Sequence, residues 1–143
     1  MRKQYYFRPS DRGYLAWDVD RLIALTKGLP RLPVPLTEIR ELDEAFWFED
    51  NNIPTWRAVL DHARLIEEAD LSFPIILSVD GRVMDGMHRV AKAVLLGRTT
   101  IEAVQFPDEP KPDYINVNPN ELRYDEPFTK PSVAKAGGPG HGA

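Results

Sequence analysis

Two Asp-Gly pairs five residues apart, Asp80-Gly81 and Asp85-Gly86, constrain this chain more than any other feature. Each glycine can take the positive φ of a tight turn. The residues between them, Arg82-Val83-Met84, therefore have room for one short returning strand. The stretch before them, Phe73 to Val79, carries a continuous Ile75-Ile76-Leu77 centre and reads as a strand buried on both faces. Beyond Gly86, the residues Met87, Val90, Ala91, Val94 and Leu95 recur at helical spacing as far as Leu96, and Gly97 stands where a left-handed cap ends a helix. Thr99 to Phe106 then alternates as a strand.

The upstream segments supply partners for these elements. Pro54-Thr55 opens the longest helix, with Trp56, Val59, Leu60, Ala63, Ile66 and Ala69 on its apolar face and His62, Arg64, Glu67 and Glu68 on its wet side. The two prolines of Leu32-Pro33-Val34-Pro35-Leu36 suit an edge strand or a strand entry. Thr37 is placed to cap a short turn through Glu38 and Ile39. Asp18 or Asp20 can cap a helix running to Lys27, covered by Leu22, Ile23 and Leu25 and stopped by Gly28 and Pro30. Arg40 to Asn52 reads as an irregular loop whose Phe46, Trp47 and Phe48 dock on a core. From Pro107 the composition turns to Pro, Asp, Glu and Gly. The expectation is one α+β domain over residues 1–106, helix 18–28 included, with a small mixed sheet packed against helices. An extended, largely disordered tail follows over 107–143, within which Tyr114-Ile115-Asn116-Val117 docks as a short extended segment.

Composition narrows the function. The 143 residues carry a net charge of −4, which weighs against a dedicated nucleic-acid binder. A local basic cluster, Arg82, His88, Arg89, Lys92 and Arg98, stands against that average. There is no cysteine, so disulfides, thiolate metal sites and cysteine nucleophiles are excluded. No apolar run reaches the roughly 20 residues of a membrane-spanning helix, and Met1 to Pro9 lacks a signal-peptide core. A bacterial-type cytoplasmic protein is the simplest reading.

The chemistry concentrates at Asp85-Gly86-Met87-His88-Arg89. Gly86 lets the backbone approach a ligand, and the first amides of the helix it opens lack intrahelical partners and carry the positive end of the helix dipole. Such a turn binds anions. Arg89 offers a planar fork for phosphate oxygens, His88 can donate or move a proton, and Asp85 can hold a metal ion or a hydroxyl. The bland alternative is an N-cap, a tight turn and a solvated helix face. Trp17, Trp47 and Trp56 suit core or docking positions better than base stacking. The three histidines, His62, His88 and His141, lie at no metal-binding spacing.

The stretch from Leu32 to Phe106 resembles the ParB/sulfiredoxin superfamily. Val34-Pro35-Leu36-Thr37-Glu38-Ile39 is similar to its opening strand and turn, and Ser72-Phe73-Pro74-Ile75-Ile76-Leu77 to its proline-led apolar strand. Met84-Asp85-Gly86-Met87-His88-Arg89, followed by Ala91, Leu95, Leu96 and Gly97, is similar to its signature helix. The resemblance implies a phosphate pocket at Gly86, Met87, His88 and Arg89 that takes a nucleoside di- or triphosphate with Mg²⁺ on Asp85. Met87 stands where the family's sulfinic-acid reductases have cysteine, so that chemistry is excluded. The partition members' paired arginines and downstream DNA-binding domain have no counterpart here. The kinases acting on free serine, with Asp-Gly-His-His-Arg, match at Asp85, Gly86, His88 and Arg89. Their catalytic acid falls in the stretch here occupied by Glu41, Asp43 and Glu44, with Glu41 and Asp43 preferred as the base and Asp85 and His88 beside the phosphates. Three functions follow as expectations. One is nucleotide-dependent phosphoryl transfer or hydrolysis, with a small hydroxyl-bearing acceptor. A second is a non-catalytic nucleotide sensor whose tail contacts a protein. The third is a DNA-associated module, which the acidity disfavours.

Overall fold

The computed structural model describes residues 4–44, 54–118 and 122. In chain order the elements are β1 (Tyr5–Ser10), β2 (Gly13–Asp18), α1 (Val19–Leu25), β3 (Leu32–Pro35), 3-10 turns at Leu36–Glu38 and Arg40–Asp43, α2 (Trp56–Glu68), β4 (Ile75–Leu77), β5 (Val83–Asp85), α3 (Met87–Leu95), β6 (Thr100–Gln105) and β7 (Tyr114–Ile115). The chain is α+β, with two small sheets and three α-helices among the described residues. No described helix is long and apolar enough to cross a membrane.

The contacts divide the chain into two compact units, one from residues 4–28 with 109–118 and 122, the other from Leu29–Asp108. The expected division was a domain over 1–106 and a tail from 107. The structure instead groups α1 with the start of that tail, because Leu15 and Ala16 of β2 pair antiparallel with Ile115 and Tyr114 of β7. The short docking segment thus completes the sheet β1-β2-β7. Residues 119–121 and 123–143 of the expected tail, with His141, lie outside the described residues, as do Phe46, Trp47 and Phe48.

In the first unit β1 and β2 form a hairpin through Asp11 and Arg12, with Ser10 opposite Gly13. Ala16, Tyr114, Val117 and Leu122 are buried together, with Tyr5 and Phe7 packed against them. On the other side of β1, Tyr6 lies against Trp17 at 5.6 Å, and the Arg8 guanidinium stands 4.8 Å over the Trp17 ring, a cation–π contact. Asp18 is the N-cap of α1: its Oδ1 accepts from Asp20 N at 2.8 Å. Leu22 of this helix is buried, whereas Ile23 and Leu25 are exposed.

The second unit carries the sheet β3-β6-β4-β5. Its proline-bearing strand β3 is an edge, as proline's missing donor requires. β4 lies between β6, to which it is parallel, and β5, to which it is antiparallel. Ile75, Ile76 and Leu77 are therefore all buried, and the continuous apolar run has its physical reason. The return from β4 uses Val79 and Asp80, with Gly81 at φ +87° and Ser78 N donating to Arg82 O at 2.8 Å. α3 then carries the chain from β5 to β6. Val90 and Ala93 of α3 meet Ile75, Leu77, Val83, Ile101 and Ala103 in the core, with Leu36 and Ile39 below them. The turn after β3 has Pro35 as its N-cap and no side-chain cap, so Thr37 does not have the capping role expected of it.

α2 departs from its expected orientation. Thr55 caps it, its Oγ1 accepting from Ala58 N at 3.1 Å. Its half-buried residues are Ala58, His62 and Ile66, followed by Ala69 just past its end. Trp56 is 83% exposed and Leu60 is exposed as well. The helix lies on α3, and Lys92 of α3 grips its last turn by donating to Glu67 O at 2.7 Å and Ala69 O at 2.8 Å. The half-buried residues thus take Ile66 and Ala69 from the expected apolar face and His62 from its wet side, while Trp56 and Leu60 are left at the surface.

Candidate functional site

The turn between β5 and α3 is shaped by Gly86, whose φ of +112° lies in the left-handed region. A Cβ there would stand 2.6 Å from Ile75 Cγ2 and 2.9 Å from Arg89 Nη2, so glycine is required by space as well as by dihedral. Gly86 is the N-cap of α3 and offers no side-chain cap. The first intrahelical bond is Val90 N to Gly86 O at 3.0 Å. The amides of Met87, His88 and Arg89 therefore have no partner within the helix. Beside them, Arg89 Nη2 donates to Asp85 Oδ2 at 2.9 Å, with the two side chains 16% and 17% exposed. Arg89 Nε is buried without a partner. An anion at the helix start would add charge opposite a guanidinium whose nitrogens are not all used.

The acids of the 40–44 segment have separate fates. Glu41 is 7% exposed, and its Oε2 accepts from Val83 N at 2.7 Å. β5 is the outer strand of its sheet, so this carboxylate satisfies a main-chain donor that no neighbouring strand takes. Glu41 Oε1 is buried without a partner, and Arg82 Nη1 lies 3.9 Å from Oε2. Glu44 binds Arg82 Nη1 through both oxygens, at 2.8 and 2.7 Å. Asp43 is exposed. Glu41 thus grips β5 two residues before Asp85, and Glu44 is tied to Arg82.

His88, in the first turn of α3, does not face solvent alone. Its Nε2 lies 3.3 Å from Nδ1 of His62 on α2, with ring centroids 5.4 Å apart and planes at 49°. His62, assigned to the wet face from its helical position, is the site residue that sequence reasoning missed. The two histidines are 26 residues apart, and the approach of two helices brings them together. The signal that bears on it is the i, i+4, i+8 spacing of Ala58, His62 and Ile66, a second possible helix face that the larger apolar residues overshadow. Burial lowers the pKa of both rings, which favours their neutral forms. For His88 the Arg89 charge adds to the effect and Asp85 opposes it. For His62 the His88 ring adds to it and Asp61 opposes it.

A groove of about 600 Å³ lies at the far end of α3, lined in part by Ala93, Gly97, Arg98, Thr100 and Glu102. One helix length, about 13 Å at 1.5 Å per residue, separates it from the Gly86 turn. The turn carries the donors and the titratable groups, and the groove carries open volume. Among the described residues, no group of three or more His, Asp or Glu stands together as a metal cage. Asp85, Gly86, Met87, His88 and Arg89 are brought to one turn; Glu41 is bound to the start of β5, the strand that ends in Asp85, and Asp43 is at the surface. No protein-family model, curated protein or solved structure matches the chain.

Proposed function

We propose that the turn from Asp85 to Arg89 binds the phosphates of a nucleotide, in a domain of the ParB/sulfiredoxin type. The observation that carries this reading is the uncapped start of α3 at Gly86, where a Cβ cannot fit and a partly buried Arg89 stands alongside. Three main-chain amides, the helix dipole and one guanidinium converge on the same position, a combination suited to phosphate rather than to a neutral ligand.

Asp85 and the phosphates suit Mg²⁺. This ion takes one or two carboxylates and completes its shell with phosphate oxygens and water, so a three-residue cage is not required. When bound, Mg²⁺ supplies charge neutralisation between adjacent phosphates. The chain's own residues would orient the nucleotide through the α3 amides and Arg89, and His88 could donate to a phosphate oxygen.

Phosphoryl transfer is the stronger form of the proposal, and it needs a base. Glu41 is held by Val83 N and the exposed Glu44 by Arg82, whereas Asp43 is exposed with neither contact. That engagement favours a second reading, a nucleotide-binding domain without turnover. A panel of nucleoside mono-, di- and triphosphates with Mg²⁺, scored by thermal shift, tests binding. At a ligand concentration of 100 times Kd, binding adds about 2.7 kcal/mol of stability. Product release from a triphosphate incubated with small hydroxyl compounds separates the enzyme from the sensor.

A further inference from the structure

We propose that His62 Nδ1 and His88 Nε2 form a bidentate site for a divalent transition-metal ion of the zinc class, joining α2 to α3. Two nitrogens bound to one tetrahedral Zn²⁺ at about 2.0–2.1 Å stand about 3.3–3.4 Å apart. The structure places these two at 3.3 Å. One ring N–H donates to the other at that distance, and loss of its proton to an incoming ion leaves two nitrogen lone pairs at the separation that two ligands of one ion require.

The pair is also held in place. Lys92 lies four residues beyond His88 on α3, and its ammonium binds Glu67 O and Ala69 O at the end of α2. His62 lies on the half-buried face of α2 with Ala58 and Ile66. The two rings thus approach from helices already fixed to one another, which reduces the ordering cost of binding. Imidazole ligands suit Zn²⁺, Co²⁺, Ni²⁺ or Cu²⁺. They do not suit Mg²⁺ or Ca²⁺, which take oxygen. Two protein nitrogens leave positions for water or another oxygen ligand, as in sites that keep an open coordination position. This site shares His88 with the proposed phosphate-binding turn but not Asp85, the residue proposed for Mg²⁺, and its test needs no nucleotide.

The test uses the full, untagged chain, stripped with chelator and dialysed. Zn²⁺ is titrated in competition with a chromophoric chelator. The wild type and His141→Ala should bind one ion per chain with equal affinity. His62→Gln and His88→Gln should each lose at least tenfold in affinity. Their unfolding midpoints without metal show whether they remain folded. A measurement on the unmodified protein guards against misfolded variants: Zn²⁺ should shift the ring-nitrogen NMR signals of both His62 and His88. Unchanged Zn²⁺ affinity in either folded glutamine variant, absence of Zn²⁺ binding by the wild type, or a shift in only one of the two rings would overturn the site.

Discussion

Replacing Gly86 by alanine should destabilise the protein by about 2–5 kcal/mol. The first contribution is the backbone: a side chain in the left-handed region costs about 1–2 kcal/mol, and φ here is +112°. The second is space. The new methyl would lie 2.6 Å from Ile75 Cγ2 and 3.0 Å from Ile75 Cβ, and Ile75 is fully buried in the central strand β4. Overpacking of this kind costs about 1–3 kcal/mol. The third contact, 2.9 Å to Arg89 Nη2, would displace the group that holds Asp85. Gly81→Ala is the internal control. Its φ is +87°, but nothing lies within 4 Å of the added carbon, so it should show the backbone cost alone. Urea denaturation followed by circular dichroism gives both values, with equal slopes required for the comparison. If Gly86→Ala costs no more than Gly81→Ala, the close packing of the turn on Ile75, and with it the basis for the site's shape, is wrong.

Glu41→Ala should cost about 1–3 kcal/mol, because Val83 N is left buried and unpaired; urea denaturation reads it, and a loss below 0.5 kcal/mol would count against an edge-binding role. Trp56→Ala should change stability by less than about 0.5 kcal/mol, as expected for a surface substitution, and a large drop in midpoint would mean that the α2 apolar stripe is packed after all. In chelator-treated buffer, stability should fall as pH drops below the ordinary histidine value of 6.5. Both rings have lowered folded pKa values, so the unfolded chain binds protons first and the loss continues until the folded values are reached. The His62→Gln, His88→Gln double variant should show a flatter profile between pH 7.5 and 5.5, and an unchanged slope would refute the assignment.

Much of the second unit was legible because local chemistry and tertiary packing agree there. The Asp-Gly pairs, the run Ile75-Ile76-Leu77 and Gly97 after α3 each have one comfortable conformation, and the core accepts it. The β1–β2 hairpin was not legible. Tyr5, Tyr6 and Phe7 are consecutive aromatics without period-2 alternation, and Pro9 argues against a strand. What settles β1 is pairing with β2, which in turn meets β7 about 100 residues further on. α2 was legible as a helix but not in its facing. Its strongest apolar stripe includes Trp56 and Leu60, yet the residues it buries in part are Ala58, His62 and Ile66, and α3 reaches it through His88 on His62 and Lys92 on its last turn. The Asp85–Arg89 turn was read from its residue types, whereas the His62–His88 approach depends on distance in space alone.

Isothermal titration of Mg²⁺-nucleoside triphosphates into the wild type and Arg89→Ala tests the central claim most directly. A triphosphate should bind the wild type at one site per chain. Arg89→Ala should weaken it by about 1.5–3 kcal/mol, the scale of a hydrogen bond to a charged group, or roughly tenfold to 150-fold in Kd. Equal affinity in the two proteins, or no binding of any triphosphate by the wild type, would contradict a phosphate site at Gly86.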